Sequence, residues 1–110
     1  MQITTTIGPL TVLAVTGYID ADTFPQLIDE AGARLEAGQV RLVLDLSGVD
    51  YISSGGLVAL QTIAGRAATQ GGKAVLCGIK PGVMRVLEIT GFNQMLVIFP
   101  DRAAAMASFE

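Results

Sequence analysis

The feature that most constrains the fold is an apolar run near the middle of the chain, VRLVLDLSGV at residues 40–49. Valine and leucine dominate this run, without the polar alternation of a strand that has one face in water. Such a strand is typical of the centre of a parallel sheet that is covered on both faces. Parallel neighbours need crossover connections, which are usually helices. The run therefore predicts an α/β fold around a central strand.

The segments on either side of this run alternate between strand-like and helix-like patterns. The predicted elements are strands at 2–7 and 10–18, a helix from about 23 that Gly38 ends, the strand 40–49, a helix at 54–68, a strand at 73–79, a helix from Pro81 to Gly91, a strand at 95–99 and a final helix capped by Asp101. This order, β-β-α-β-α-β-α-β-α, predicts one domain over residues 1–110. It should contain a mixed, mostly parallel sheet packed against about four helices.

The first helix has a recognisable start signal. Thr23 stands three residues before Gln26, the spacing of a capping box in which each side chain bonds a backbone N–H at the helix start. Asp22 is the alternative cap. We expect one of these two residues to cap the helix through its side chain.

Composition limits the possible partners. The 110-residue chain is 51% hydrophobic and 15% charged, which indicates a packed core rather than disorder. Its net charge is −3 and its basic residues are scattered, so it lacks the basic patch of a nucleic-acid-binding protein. No apolar stretch is long enough to span a membrane, and the first residues lack a secretory signal pattern. We expect a cytoplasmic monomer or weak dimer without nucleic-acid or membrane partners.

The residues that catalysis usually needs are scarce. Histidine is absent, which removes the usual general base and zinc ligand, and no P-loop or dinucleotide motif is present. The aspartate pairs Asp20/Asp22 and Asp45/Asp50 each lack a third carboxylate, so capping and turn roles are expected for them. Cys77 has apolar neighbours and is expected to be a buried strand thiol. The sequence predicts no catalytic residue, metal or cofactor, and so a protein that is not an enzyme.

The stretch DYISSGGL, residues 50–57, joins the apolar run to the second predicted helix. Ser53 or Ser54 can cap that helix. A helix start also carries unpaired N–H groups and partial positive charge, so a serine there is equally suited to carry a phosphate. Gly55 and Gly56 leave the backbone bare, which allows a partner to approach closely. Both a structural and a regulatory role are open for the serines.

Two segments give the chain a family resemblance. LVLDLSGVDYISSGGLVAL at 42–60 and VLEITGF at 86–92 resemble the STAS domain, the module shared by sulfate transporters and anti-sigma factor antagonists. The resemblance extends over residues 2–108 and is closer to the stand-alone antagonists than to a transporter tail. It implies a binding module that captures an anti-sigma factor, itself a serine-protein kinase, so that a sigma factor is released. Phosphorylation of the antagonist at the helix start would then cause the complex to dissociate.

The chain departs from the family pattern at the phosphate acceptor. Aligned through Gly56, the acceptor position is Gly55, Ser54 matches the serine before it, and Ser53 stands where the family has aspartate. Ser54 or Ser53 could replace the acceptor, or the protein could bind constitutively or be regulated through its partner. A ligand- or nucleotide-sensing scaffold is the alternative function. The expected partner contacts are Asp20, Asp22, Tyr51, Ser53, Ser54, Gly55, Gly56 and Leu57, although burial is the commoner fate of a tyrosine such as Tyr51.

Overall fold

A computed structural model describes all 110 residues, which form a five-stranded sheet and four α-helices. The strands are β1 (Gln2–Thr6), β2 (Thr11–Ile19), β3 (Arg41–Ile52), β4 (Lys73–Cys77) and β5 (Ile98–Phe99). The helices are α1 (Phe24–Glu36), α2 (Ser54–Thr69), α3 (Pro81–Thr90) and α4 (Arg102–Ala107). The predicted α/β class and element order are confirmed. A short 3-10 helix at Phe92–Gln94 was not predicted.

The sheet has the strand order β1-β2-β3-β4-β5, so the apolar run lies at its centre. β1 pairs with β2 antiparallel, and the other neighbours are parallel. The mixed, mostly parallel sheet is therefore confirmed. Because Ile19 pairs with Ile52 at the ends of β2 and β3, the loops that follow these two strands start side by side at one edge of the sheet.

Helices cover both faces of the central strand. Leu42 and Leu44 belong to the larger core cluster, which also contains residues of α1, α2 and α3. Val43 points the other way and packs in a smaller cluster with Ala105 of α4. Cys77 is in that smaller cluster and fully buried, and burial raises the pKa of its thiol to about 11. The predictions of a doubly covered strand and of a buried thiol are confirmed.

Two strand boundaries differ from the prediction. β3 continues past Val49 to Ile52, because β2 follows it through two register irregularities and still pairs at its end. Asp50 is therefore a strand residue, and it forms an ion pair with Lys80 instead of the expected turn. β5 is restricted to Ile98–Phe99, because Met95 and Leu96 form a turn and a bend after the 3-10 helix.

An ion pair fastens α4 to the centre of the sheet. Arg102 donates from Nε and Nη2 to Oδ2 of Asp45 at 2.9 and 2.8 Å. Asp45 is only 8% exposed, and its Oδ1 accepts the Ser47 N–H at 3.0 Å. Burial alone would raise the pKa of Asp45, but the hydrogen bonds from Ser47 and the charge of Arg102 outweigh it and hold that pKa below 3.8. Asp101 caps α4 as predicted, accepting the Ala104 N–H at 2.8 Å.

Candidate functional site

Two loops meet at the edge of the sheet where β2 and β3 end. The backbone N–H of Ser53 donates to the carbonyl of Ile19 at 2.8 Å, which joins the start of α2 to the end of β2. The turn at Asp20–Thr23 and the segment at Ser53–Leu57 are thus neighbours, as the sequence led us to expect. We refer to three exposed residues at this edge, Asp22 of the turn, Ser54 and the adjoining Val58 of α2, as the edge surface.

The two serines have different environments. Ser53 is the N-cap of α2: its backbone is extended and its Oγ accepts the Gly56 N–H at 3.2 Å. It is half-buried and its hydroxyl has a structural task. Ser54 is the first residue of α2 and its side chain is exposed. The hydroxyl available to another protein is that of Ser54.

The glycines after the serines are held close to their neighbours. A Cβ atom at Gly56 would lie 2.7 Å from Ile52 Cγ1 and 2.9 Å from the backbone oxygen of Ile19. A Cβ atom at Gly55 would lie 2.9 Å from Cε2 of Phe24, the first residue of α1. Any hydroxyl-bearing residue at position 55 would therefore have to displace that aromatic ring. The packing of α1 accounts for glycine at position 55, and the ends of β2 and β3 account for glycine at position 56.

Two of the residues expected to contact a partner are buried instead. Leu57 is 2% exposed and belongs to the core cluster under α2, so its side chain cannot touch a partner of the folded protein. Gly56 is also buried. Both residues pack α2 against the sheet. In the same helix turn, the surface is instead formed by Ser54 and by Val58, which is 53% exposed.

The loop after β2 is ordered by Asp20. Its Oδ1 accepts hydrogen bonds from the N–H groups of Asp22 and Thr23 at 3.0 and 3.1 Å, which form an Asx turn, and Asp20 is half-buried. The Thr23 hydroxyl donates back to the carbonyl of Tyr18 at 2.8 Å, and no side chain caps α1. The predicted capping box is therefore wrong: Thr23 takes the N-cap position, but its hydroxyl closes the turn. Asp22 is exposed.

Tyr51, an expected partner contact, is 50% exposed and so departs from the burial that is commoner for tyrosines. Tyr51 pairs with Tyr18 in the register of β2 and β3, and the two rings pack edge to face with centroids 5.8 Å apart. Their neighbours Ile19 and Ile52 point into the core below α1 and α2. Since successive side chains of a strand point to opposite faces, the tyrosines lie on the other face of the sheet. The exposed Tyr18 and Val58 were missed because a single aromatic or valine in an apolar segment is normally assigned to the core.

No group of three or more Asp, Glu or Cys side chains is placed to share a metal ion, and none of the helices has the length and apolar character needed to cross a membrane. Residues 1–105 match the family model of the STAS domain. The chain belongs to the STAS domain family. The family resemblance suggested by the strand-loop-helix segment is thereby confirmed.

Several STAS proteins are similar over nearly the whole chain. BtrV of Bordetella bronchiseptica, named for a proposed role as anti-sigma factor antagonist, is 36% identical over 104 residues, which cover 94% of this chain and 90% of BtrV. An anti-sigma factor antagonist from Mycobacterium paratuberculosis has 27% identity and a TM-score of 0.83, with 97% and 93% of the two chains covered. A Thermotoga maritima structure named for the same proposed role has 20% identity and a TM-score of 0.89, covering 96% and 92%, and supports the fold alone.

Proposed function

We propose that this STAS protein is an anti-sigma factor antagonist, which releases a sigma factor by binding the anti-sigma factor that holds it. The observation that carries the proposal is the edge surface: an exposed serine at the start of α2 with an exposed valine one turn later, in a chain 36% identical to BtrV. An apolar side chain beside hydroxyl and carboxylate groups is a suitable docking surface, because interfaces combine an apolar centre with a polar rim.

The edge surface is well suited to switching by phosphate. Ser54 and Val58 are four residues apart on one helix and therefore lie on the same face. A phosphate on Ser54 would place about −1.5 to −2 charges beside the valine that we assign to the interface. That charge would oppose burial of Val58, while the positive end of the α2 dipole would tolerate it within the folded protein.

Ser54 is the better acceptor of the two serines. Its side chain is exposed, whereas the Ser53 hydroxyl is used in capping α2. The family acceptor position is Gly55, where a Cβ atom would lie 2.9 Å from Cε2 of Phe24. The proposed partner is accordingly an anti-sigma factor with serine-kinase activity. This protein itself would act as a cytoplasmic binding domain without turnover.

Capture from native cell lysate tests the proposal, with ATP or ADP added and the retained proteins identified by mass spectrometry. The bait proteins are the wild type, Ser54→Asp and Ser54→Asn. The asparagine variant is the control, because its side chain is neutral and has nearly the same size and shape as aspartate. We expect the wild type and the Asn variant to retain an ATP-binding anti-sigma factor, and the Asp variant to retain much less. Equal retention by all three would keep the antagonist function and remove Ser54 as its switch. Failure of the wild type to retain an anti-sigma factor would refute the function.

A further inference from the structure

We infer that the Tyr18–Tyr51 pair is a second contact site, on the sheet face opposite α1, which receives an arginine or lysine side chain of the anti-sigma factor. The rings are 56% and 50% exposed and pack edge to face at 5.8 Å. This inference rests on the proposed function for the identity of the partner. It names a surface and a chemistry that the edge surface alone does not supply.

The position of the pair leaves it open to a partner. On this face of the sheet α4 covers β3, β4 and β5 and packs on Val43, Val75 and Cys77. Tyr18 and Tyr51 are the penultimate residues of β2 and β3, each two residues before the segments that begin at Asp20 and Ser53. A partner bound at the edge surface could therefore reach around the end of the sheet and touch both rings.

The charge near the rings favours a cationic occupant. Asp20 and Asp22 follow Tyr18 in the adjoining turn, and the Asp22 side chain is exposed. Two cations at the starts of the following helices are already engaged, Lys80 with Asp50 and Arg102 with Asp45. The faces of tyrosine rings attract cations, and nearby carboxylates add to that attraction. Aromatic pairs of this kind are also common among the residues that dominate binding energy at interfaces.

The rings can be changed with little effect on the fold, because both are half exposed and neither belongs to the core clusters. Tyr→Phe at both positions keeps the aromatic faces, whereas Tyr→Leu at both positions keeps apolar area and removes the faces. Circular dichroism and thermal unfolding of the two double variants provide the folding control. Any loss that is specific to the leucine variant then reports the cation contact rather than hydrophobic burial.

The first arm of the test is independent of the partner. Wild-type protein is titrated with the probe acetyl-Gly-Arg-Gly-amide, and with the same peptide carrying citrulline, the neutral isostere of arginine, while the tyrosine ring signals are followed by NMR. We expect the arginine peptide to shift the Tyr18 and Tyr51 signals selectively and the citrulline peptide to leave them in place. Absence of a localised, charge-dependent shift would overturn the inference.

The second arm measures affinity for the anti-sigma factor captured by the wild type. The phenylalanine variant should bind like the wild type, and the leucine variant should bind about five- to thirty-fold more weakly, with a smaller dependence on salt. Equal affinity of the leucine variant would overturn the inference and leave the antagonist function standing. If the wild type captures no anti-sigma factor, the proposed function fails and the peptide titration alone decides whether the tyrosines bind cations.

Discussion

The packing of α2 on the sheet can be tested by one substitution at two sites. Gly56 and Gly65 both lie in α2, but a Cβ atom at Gly56 would be 2.7 to 2.9 Å from Ile52 Cγ1, Ile19 Cγ2 and the Ile19 oxygen, whereas nothing lies within 4 Å of one at Gly65. The same Gly→Ala change should therefore have opposite effects. Gly65→Ala serves as the matched control for the helix propensity of alanine.

The two effects can be estimated separately. At Gly65 alanine removes the entropic penalty of glycine in a helix, so we expect about 0.5–1 kcal/mol of stabilisation. At Gly56 the overpacking term of about 1–3 kcal/mol dominates, because one of the three close atoms belongs to the backbone and cannot rotate away. Displacement of Gly56 also weakens its hydrogen bond to Ser53. The propensity gain is common to both variants, so they should differ in stability by the overpacking term, about 1–3 kcal/mol.

Urea unfolding followed by far-UV circular dichroism measures this difference, since the chain has no tryptophan to serve as a fluorescent probe. We expect the midpoint of Gly56→Ala below that of the wild type and the midpoint of Gly65→Ala above it, with similar slopes. A Gly56→Ala protein as stable as Gly65→Ala would refute the close contact between the start of α2 and the ends of β2 and β3.

Three further predictions concern the other stabilising contacts. In urea unfolding, Ser53→Ala should lower the unfolding free energy by about 1 kcal/mol through loss of the α2 cap, and Ser54→Ala should change it by less than about 0.5 kcal/mol. Equal losses would contradict the assigned cap. Arg102→Gln should cost about 1–2 kcal/mol at neutral pH, after allowance for the half-exposed arginine. The pKa of Asp45 is lower in the folded than in the unfolded chain, so this contribution is present above pH 3.8 and is lost as the pH falls toward the folded pKa. The difference in unfolding free energy between the wild type and Arg102→Gln should therefore become smaller in acid. A difference that grows in acid would contradict the ion pair. Cys77, with its buried thiol and a pKa of about 11, should react with a thiol reagent at pH 8 only as the protein unfolds in urea, and rapid labelling of the native protein would contradict its burial.

The sequence was most informative where apolar pattern and glycine or proline signals agreed. The run at 40–49 required cover on both faces, and the structure places it between β2 and β4 with helices above and below. Pro81 begins α3 and Gly91, in the left-handed conformation with φ 80°, ends it. These features follow from local sterics and burial, which a sequence displays directly.

The errors arose where the three-dimensional arrangement of the chain decided which contact a side chain makes. The Thr23 hydroxyl had an ordinary capping partner nearby, but the carbonyl of Tyr18 at the end of β2 is its acceptor. Leu57 lies in the loop that carries the family resemblance, yet its side chain points into the core. Tyr51 is exposed because the ends of β2 and β3 bring it beside Tyr18 beyond the reach of α4. Strand register and helix placement decide which side chains are exposed, and neither can be predicted from the neighbouring residues.

The most direct test of the antagonist function is a displacement assay with the anti-sigma factor captured by the wild type and its cognate sigma factor. The sigma factor carries a fluorescent label, and its release from the anti-sigma factor is followed by fluorescence anisotropy as this protein is added. We predict dose-dependent release by the wild type and Ser54→Asn, and much weaker release by Ser54→Asp. A sigma factor that stays bound at saturating wild-type protein would contradict the account.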